Sequence, residues 1–381
     1  MIGVEEAKRI LMAHVRPLPF TPLELDLAQD HHLAADVQST VPHPLFDMSA
    51  VDGWALCGAG PEWTPVAEVA AGQVMGRALE PGECARIFTG AQVPAGADRV
   101  LMQEDAVLEQ GRVRCSGDLP PQGAHIRRKG EQFTEGELLA RAGDRLDPAL
   151  IGLLASAGLE ELEVIFKPWV AIVRTGGEFI DDSGPAEGRI FSSNEWMLLA
   201  ALRKELCETD DDGAFIAEDD DADLENAITQ AAEADIVITT GGVSVGAHDR
   251  VEAVLRKMGA EILFHGVAQK PGKPMLLALL GGKPVFGLPG NPRAAMILFW
   301  EYILPFLRAM QGAPDPWPRT KRLPLGHAVV LKGGRAEFRA ARVEGGRVRL
   351  LADEGSHMLR SLTAADALAY LPAHQRAWRE G

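Results

Sequence analysis

The spacing of apolar residues changes several times along this chain, and each change predicts a different kind of element. Residues 169–174 form a short, unbroken apolar run of the buried-strand type, leading into Thr175-Gly176-Gly177-Glu178. A helical pattern covers 194–206. A second buried run at 235–240 opens onto Gly241-Gly242-Val243-Ser244-Val245-Gly246. A helix at 251–258 and strands at 261–267, 275–280 and 284–287 follow; the last opens onto Leu288-Pro289-Gly290-Asn291-Pro292 ahead of a helix at 293–310. Strands that alternate with helices and end in Gly-rich turns predict an open α/β sheet. Such sheets bind ligands beyond the carboxyl ends of their strands, so the three turns should gather at one edge.

The flanking segments have other textures. Residues 1–40 read as helical, with Ile10, Leu11, Leu23, Leu25 and Leu33 interrupted by Pro17, Pro19 and Pro22. Residues 42–120 alternate short apolar runs with Gly/Pro turns and predict a small, mostly antiparallel β domain. Residues 147–158 predict a helix with Pro148 in its first turn and Gly158 at its end. Residues 314–318 punctuate a linker, and 320–381 return to short strands.

A chain of 381 residues exceeds one compact core and predicts several domains. Its 38 Lys+Arg against 54 Asp+Glu give a formal charge of −16, which repels nucleic-acid phosphates and excludes wholesale nucleic-acid binding. An anionic ligand therefore needs a local cluster of donors. Cys57, Cys84, Cys115 and Cys207 are scattered without a CxxC pair, which favours reduced thiols over a zinc site or a disulfide framework. No apolar run approaches membrane-spanning length, and residues 1–15 read as an amphipathic helix rather than a signal peptide, so the expected location is the cytoplasm.

Candidate chemistry sits mainly in the turns. In GGVSVG, glycines let backbone N–H groups approach an anion at a helix start, with Ser244 as a hydroxyl and Asp249 just beyond. A tight strand–helix turn would account for one or two of those glycines equally well. In Gln269-Lys270-Pro271-Gly272-Lys273-Pro274, two lysines flank a rigid turn, which suits phosphate or another oxyanion. Pro289 and Pro292 shape a wall without offering donors, while Gly290 and Asn291 can take positive φ and present backbone groups. Asp52, Glu178, Asp219, Asp220 and Asp249 are the candidate acids, since carboxylates near a phosphate site usually hold Mg²⁺. Asp210-Asp211-Asp212 reads as an exposed turn, and one residue of Asp219-Asp220-Asp221 is explained by capping the helix at 223–233. Asp52 in SAVDGWA and Thr89 in IFTGA stand beside glycines, a pattern that spacing alone does not separate from turn chemistry.

Together these strings resemble the molybdopterin molybdenumtransferase family (MoeA and the C-terminal enzyme part of gephyrin). The matches run nearly end to end: SAVDGWA, RIFTGAQVPAGADRV, IRRKGE, TGGEF, SSN at 192–194, DIVITTGGVSVGAHD, KPGKP, GLPGNP, and GSH at 355–357. The resemblance implies a helical, dimer-forming domain at 1–42 and 125–167, an inserted β domain at 43–124, an α/β molybdopterin-binding domain at 168–312 and a C-terminal β domain at 317–381. It implies a homodimer whose cleft joins the α/β and C-terminal domains of one subunit to the β domain of the other. The implied reaction takes adenylylated molybdopterin and molybdate to molybdenum cofactor and AMP, with Mg²⁺ as cofactor and a molybdopterin adenylyltransferase as substrate donor. Carried over by motif, Asp52, Thr89, Glu178, Asp219, Asp249, Lys270 and Lys273 are the catalytic set. The binding set is Arg127, Thr175, Gly241, Gly242, Ser244, Gly246, Pro289, Gly290, Asn291, Pro292 and Ser356. The metal ligands are Glu178, Asp219 and Asp249.

Four positions depart from the family pattern: Met48, Gln132, Gly177 and Gly266. The chain also stops at Gly381, where the family usually adds a strand, which implies a shortened C-terminal domain. The losses at 132, 177 and 266 favour an alternative, a catalytically weakened pterin-binding or scaffold paralogue. The retained Asp52, Glu178, Asp249 and both lysines oppose it. An enzyme that makes the adenylylated pterin would be a lone α/β domain, which the flanking segments argue against.

Overall fold

A computed structural model describes the chain except residues 181–183, 186, 206, 211–212, 219, 244–249, 332, 353 and 381. Its centre is a six-stranded open sheet in the spatial order Phe215–Ala217, Val170–Thr175, Ile236–Thr240, Lys283–Leu288, Leu276–Leu280, Glu261–His265. Leu276–Leu280 runs antiparallel to both neighbours, and the other pairs are parallel. Every residue of Val170–Thr175 and Ile236–Thr240 is buried, as a strand covered on both faces requires. Alternation then divides the apolar residues. Val170, Ile172, Ile236, Ile238 and Phe286 face one layer, with Leu198, Leu202 and Ile297. Ala171, Val173, Val237 and Val285 face the other, with Leu224, Ile228 and Val254.

The helix expected at 293–310 is present as Pro292–Leu298, a wide π-type turn over Phe299–Ile303, and Leu304–Met310. Pro305 has no N–H to donate within the helix, and the π-type turn immediately before it takes up that missing link.

The helical reading of residues 1–40 is corrected. Helix covers only Val4–Ala13; Phe20–Glu24 is a strand paired with Glu161–Ile165, and Val37–Gln38 pairs with Leu138–Ala140. Pro17, Pro19 and Pro22 fix φ and remove donors, and Leu23 and Leu25 are two apart, which is a strand period. The Val4–Ala13 helix packs on the central sheet's helical layer: Val4, Ala7 and Leu11 are buried with Leu304 and Leu307. Lys8 is paired with Glu301 at 2.7 Å.

The β segment forms a four-stranded sheet, Thr64–Val69, Glu83–Ile87, Gly53–Leu56, Arg99–Met102, with one parallel pair. In the C-terminal segment Ala336–Glu344 pairs with Arg347–Leu350 and Ala367–Leu371. Its fourth strand is Gln269–Lys270, parallel to Ala336–Glu344 with Lys270 opposite Glu337. The lysine loop of the α/β segment is thus stitched into the C-terminal sheet.

Candidate functional site

A cleft of about 940 Å³ opens at the carboxyl edge of the central sheet. Three turns meet there, as their sequence positions predicted. Glu178 follows the first central strand, Gly242 and Val243 follow the second, and Pro289 to Pro292 follow Lys283–Leu288. Lys270 and Lys273 form one wall, and the C-terminal segment adds Arg335, Glu354, Ser356 and His357.

The glycines of these turns have local reasons. Gly241 and Gly242 take φ of 95° and 62°. A Cβ on Gly241 would lie 2.6 Å from Thr175 Oγ1, and one on Gly242 3.0 Å from a Val251 methyl. A Cβ on Gly176 would meet the Glu178 carboxylate at 2.1 Å, so that glycine leaves room for the acid to fold back over the turn. Thr175 is buried and donates its hydroxyl to the Thr240 carbonyl at 3.1 Å, placing it beneath the cleft rather than in its lining. Gly290 and Asn291, expected to allow positive φ, do not use it; Asn291 sits at φ −68°, ψ 117°. Pro292 excludes the helical region for the residue before it and accounts for that extended geometry.

The lysine loop is held from beneath. Gln269 is fully buried, donates to the Pro271 carbonyl at 2.9 Å, and accepts a hydrogen bond from the Tyr302 hydroxyl. Burial pushes the Tyr302 pKa up, which keeps it a donor. Arg335 donates to the Gln269 carbonyl at 3.3 Å. Gly272, at φ 87°, packs where a Cβ would strike Leu298 at 2.8 Å.

Several lining residues were not singled out as site residues from the sequence. Asn194, with 6% exposure, donates to the Gly290 carbonyl at 2.9 Å and ties the SSN segment to the LPGNP turn. Glu354 is chelated by Arg339, and Arg293 approaches it to 4.0 Å while its own N–H donates to the Ser356 carbonyl at 3.1 Å. Arg293 is 1% exposed, and burial lowers its pKa. Only the SSN and GSH strings hinted at this wall; the arginines and Glu354 come from distant segments.

The remaining sequence-derived residues lie elsewhere. Thr89 donates both its N–H and its hydroxyl to Asp52 Oδ1, each at 2.8 Å. The Thr89 N–H, then its hydroxyl, hold the Asp52 carboxyl below its ordinary range. Arg86 lies between Trp54 at 5.6 Å and Phe88 at 5.1 Å, on the same rim. Arg127 is exposed in the Ile126–Arg127 strand opposite Met48. None of Asp52, Thr89 and Arg127 lines the cleft of its own chain. Ser244, Gly246, Asp249 and Asp219 lie outside the described residues, as do Asp211 and Asp212. Asp220 caps the helix Asp221–Ala231 by accepting from Ala222 N–H at 2.7 Å and Asp223 N–H at 3.2 Å, so that acid is explained by capping. Among the described residues no group of three metal-ligating side chains is assembled. At the departures, Gly266 accepts the Ile2 N–H at 3.0 Å and Gln132 donates its N–H to His43 at 2.9 Å.

The fold and cleft define an open-sheet α/β protein with a ligand site at the topological edge. Three family models match in sequence: MoeA N-terminal region (domain I and II) over residues 2–158, probable molybdopterin binding domain over 171–309, and MoeA C-terminal region (domain IV) over 322–381. Molybdopterin molybdenumtransferase 2 of Mycobacterium tuberculosis is 34% identical, covering 98% of this chain and 96% of that protein. The molybdopterin molybdenumtransferase of Nostoc sp. is 36% identical over 77% of this chain and 70% of that one. The crystal structure of the molybdopterin biosynthesis MoeA protein of Pyrococcus horikoshii superposes with TM-score 0.84 at 28% identity, covering 100% and 98% of the two chains. The chain belongs to the molybdopterin molybdenumtransferase family.

Proposed function

We propose that the cleft binds adenylylated molybdopterin and molybdate and releases molybdenum cofactor and AMP. The observation that carries this reading is the wall bearing Lys270 and Lys273. In a chain of net charge −16, the loop that carries both lysines is held by a buried Gln269 and by the pairing of Lys270 with Glu337, and it lines the same cleft as the Gly242 and Pro289–Pro292 turns. Such a wall concentrates positive charge where an oxyanion and a phosphate must meet. The family assignment favours transfer over a scaffold role.

In this reading Gly241, Gly242, Ser244 and Gly246 cradle the pyrophosphate with backbone and hydroxyl donors. Lys270 and Lys273 neutralise molybdate and phosphate charge, while Ser356, Gly290 and Asn291 orient the substrate between Pro289 and Pro292. Thr175 supports the floor through its bond to Thr240. Glu178 has the hard oxygen donors that suit Mg²⁺ and stands on the cleft wall, so it fits as a ligand together with Asp219 and Asp249. Held by these residues, Mg²⁺ would supply charge neutralisation for the anionic substrate. Catalysis is then mainly positioning and electrostatics.

Asp52, Thr89 and Arg127 act from a second copy, which makes the working unit a homodimer. The domain division at 1–42 with 125–167, 43–124, 168–312 and 317–381 follows from the same reading. The proposed setting is the cytoplasm, with a molybdopterin adenylyltransferase delivering the substrate.

The test is AMP release from adenylylated molybdopterin, with and without molybdate and Mg²⁺. Wild type should release AMP only with molybdate, and Lys270→Ala or Lys273→Ala should each lower kcat/KM about a hundredfold. Mixing Asp52→Ala with Lys270→Ala protein should restore part of the activity that each lacks alone. Full molybdate-dependent activity in both lysine variants would overturn the assignment.

A further inference from the structure

Gln269 and Lys270 are neighbours on one short strand, so their side chains leave it on opposite sides. Gln269 is fully buried and Lys270 is exposed, so whatever seats the first also sets the direction of the second. The loop is closed at its base by the Val267 N–H, which donates to the Lys273 carbonyl at 2.8 Å. Inside that closure the Gln269 amide has one allowed orientation. The Pro271 carbonyl, 2.9 Å away, can only accept, so Nε2 must face it and Oε1 must face the Tyr302 hydroxyl. Tyr302 therefore donates to Gln269, and Gln269 donates to the backbone between the two lysines.

Tyr302 belongs to the wide turn Phe299–Ile303, which continues the helix Pro292–Leu298. Short π-type turns of this kind are frequent at functional sites. The combined run meets the lysine loop twice. A Cβ on Gly272 would lie 2.8 Å from Leu298, and one turn further on Tyr302 reaches Gln269. The first residue of the same run, Pro292, lines the cleft together with Pro289, Gly290 and Asn291. One continuous element thus extends from the LPGNP turn to the seat of the lysines. Tyr302 is fully buried and lies outside the cleft lining. Lys8 of the N-terminal helix stands 5.8 Å from its ring centroid while paired with Glu301 at 2.7 Å. Buried this deeply, Gln269 Oε1 has no solvent to turn to if the hydroxyl is removed.

We propose that Tyr302 is a positioning residue for the lysine wall: by way of Gln269 it fixes where Lys270 and Lys273 stand, and so sets the affinity of the cleft for a tetrahedral oxyanion that it never touches. Two ammonium groups already held in place bind an anion more tightly than two that must be ordered on binding, because the ordering cost has been met in folding. The inference rests on the reading of Lys270 and Lys273 as anion-binding groups, and not on the transfer reaction itself.

The experiment is calorimetric titration of the full-length protein with sodium molybdate and, separately, with inorganic phosphate, at fixed ionic strength. Tyr302→Phe keeps the ring and removes the donor; it should weaken oxyanion binding about tenfold. In a Lys270→Ala background the same change should weaken binding by less than about threefold, because part of its route to the anion is already gone. Pairing Tyr302→Phe with Gln269→Met removes the orphaned acceptor. The melting temperature should then return toward wild type while binding stays weak, a split that a purely structural role does not produce. Unchanged binding in Tyr302→Phe, or an affinity that recovers together with the melting temperature, would overturn the proposal. AMP release on the same samples separates the two readings. A wild type that binds oxyanion, loses it in Lys270→Ala and releases no AMP keeps the positioning role and loses the reaction. A Lys270→Ala protein that binds oxyanion as well as wild type removes the lysine wall, and the positioning role with it.

Discussion

Gly53, in the middle of SAVDGWA, offers the sharpest test of how the β segment is built. It begins the strand Gly53–Leu56, hydrogen-bonded between Glu83–Ile87 and Arg99–Met102. A Cβ at this position would stand 1.9 Å from the Leu101 carbonyl oxygen, whereas a tolerable carbon–oxygen contact is about 3.3 Å, so the backbone must give by roughly 1.4 Å. The obstacle is backbone, which no rotamer change relieves. Yielding pulls Gly53–Leu56 from Arg99–Met102 and stretches the Gln103 N–H to Asp52 carbonyl bond, now 3.0 Å. Overpacking costs about 1–3 kcal/mol and each lost ladder bond about 1 kcal/mol, so Gly53→Ala should destabilise by roughly 3–5 kcal/mol. Hydrogen exchange of a peptide covering 50–57 should accelerate on the order of a hundredfold or more. Gly76→Ala is the control, since no atom lies within 4 Å of its added Cβ. The reasoning is refuted if Gly53→Ala exchanges within threefold of the Gly76→Ala protein.

Three further outcomes follow from the geometry. Burial first, and then Lys167, push the His32 pKa down to about 4, so the fold favours the neutral ring. The resulting stability, on the order of 3 kcal/mol, is present above about pH 6.5 and lost as pH falls toward 4; denaturation at several pH values should show a flatter profile for His32→Leu. Arg174 and Glu195, paired at 3.1 Å with 10% and 9% side-chain exposure, should cost about 3–5 kcal/mol when Glu195→Ala strands the guanidinium. The double change Arg174→Met with Glu195→Leu should recover most of that loss in the same denaturation assay. Thr89→Val removes one of two hydrogen bonds to Asp52, so carboxyl NMR should find Asp52 titrating at higher pH than in wild type.

What the sequence disclosed, and what it hid, divides along the range of the interactions. The runs at Val170–Thr175 and Ile236–Thr240 announce themselves because strands covered on both faces need continuous apolar residues. The convergence of their turns follows from the direction of the strands. By contrast, Phe20–Glu24 owes its conformation to Glu161–Ile165, far along the chain, and Leu23, Leu25 and Leu33 mimic a helical stripe only when counted loosely. Phe215–Ala217 is three residues long, too short to leave a pattern. In the cleft, lysines and glycines were visible because a turn motif is local. Arg335 and Glu354 were not, because their place depends on how the C-terminal sheet docks.

That docking has a mechanical consequence. The strand Gln269–Lys270 leaves the α/β segment and takes its register from Ala336–Glu344, with a further backbone bond from Ala336 to Ala268 at 3.0 Å. The C-terminal segment therefore does not hang from its linker as a free lid. It grips the lysines like the second jaw of a hinge whose pin is the lysine loop itself. Any rotation that widened the cleft would drag Lys270 along its own strand, so substrate admission and charge placement are geared together rather than set independently.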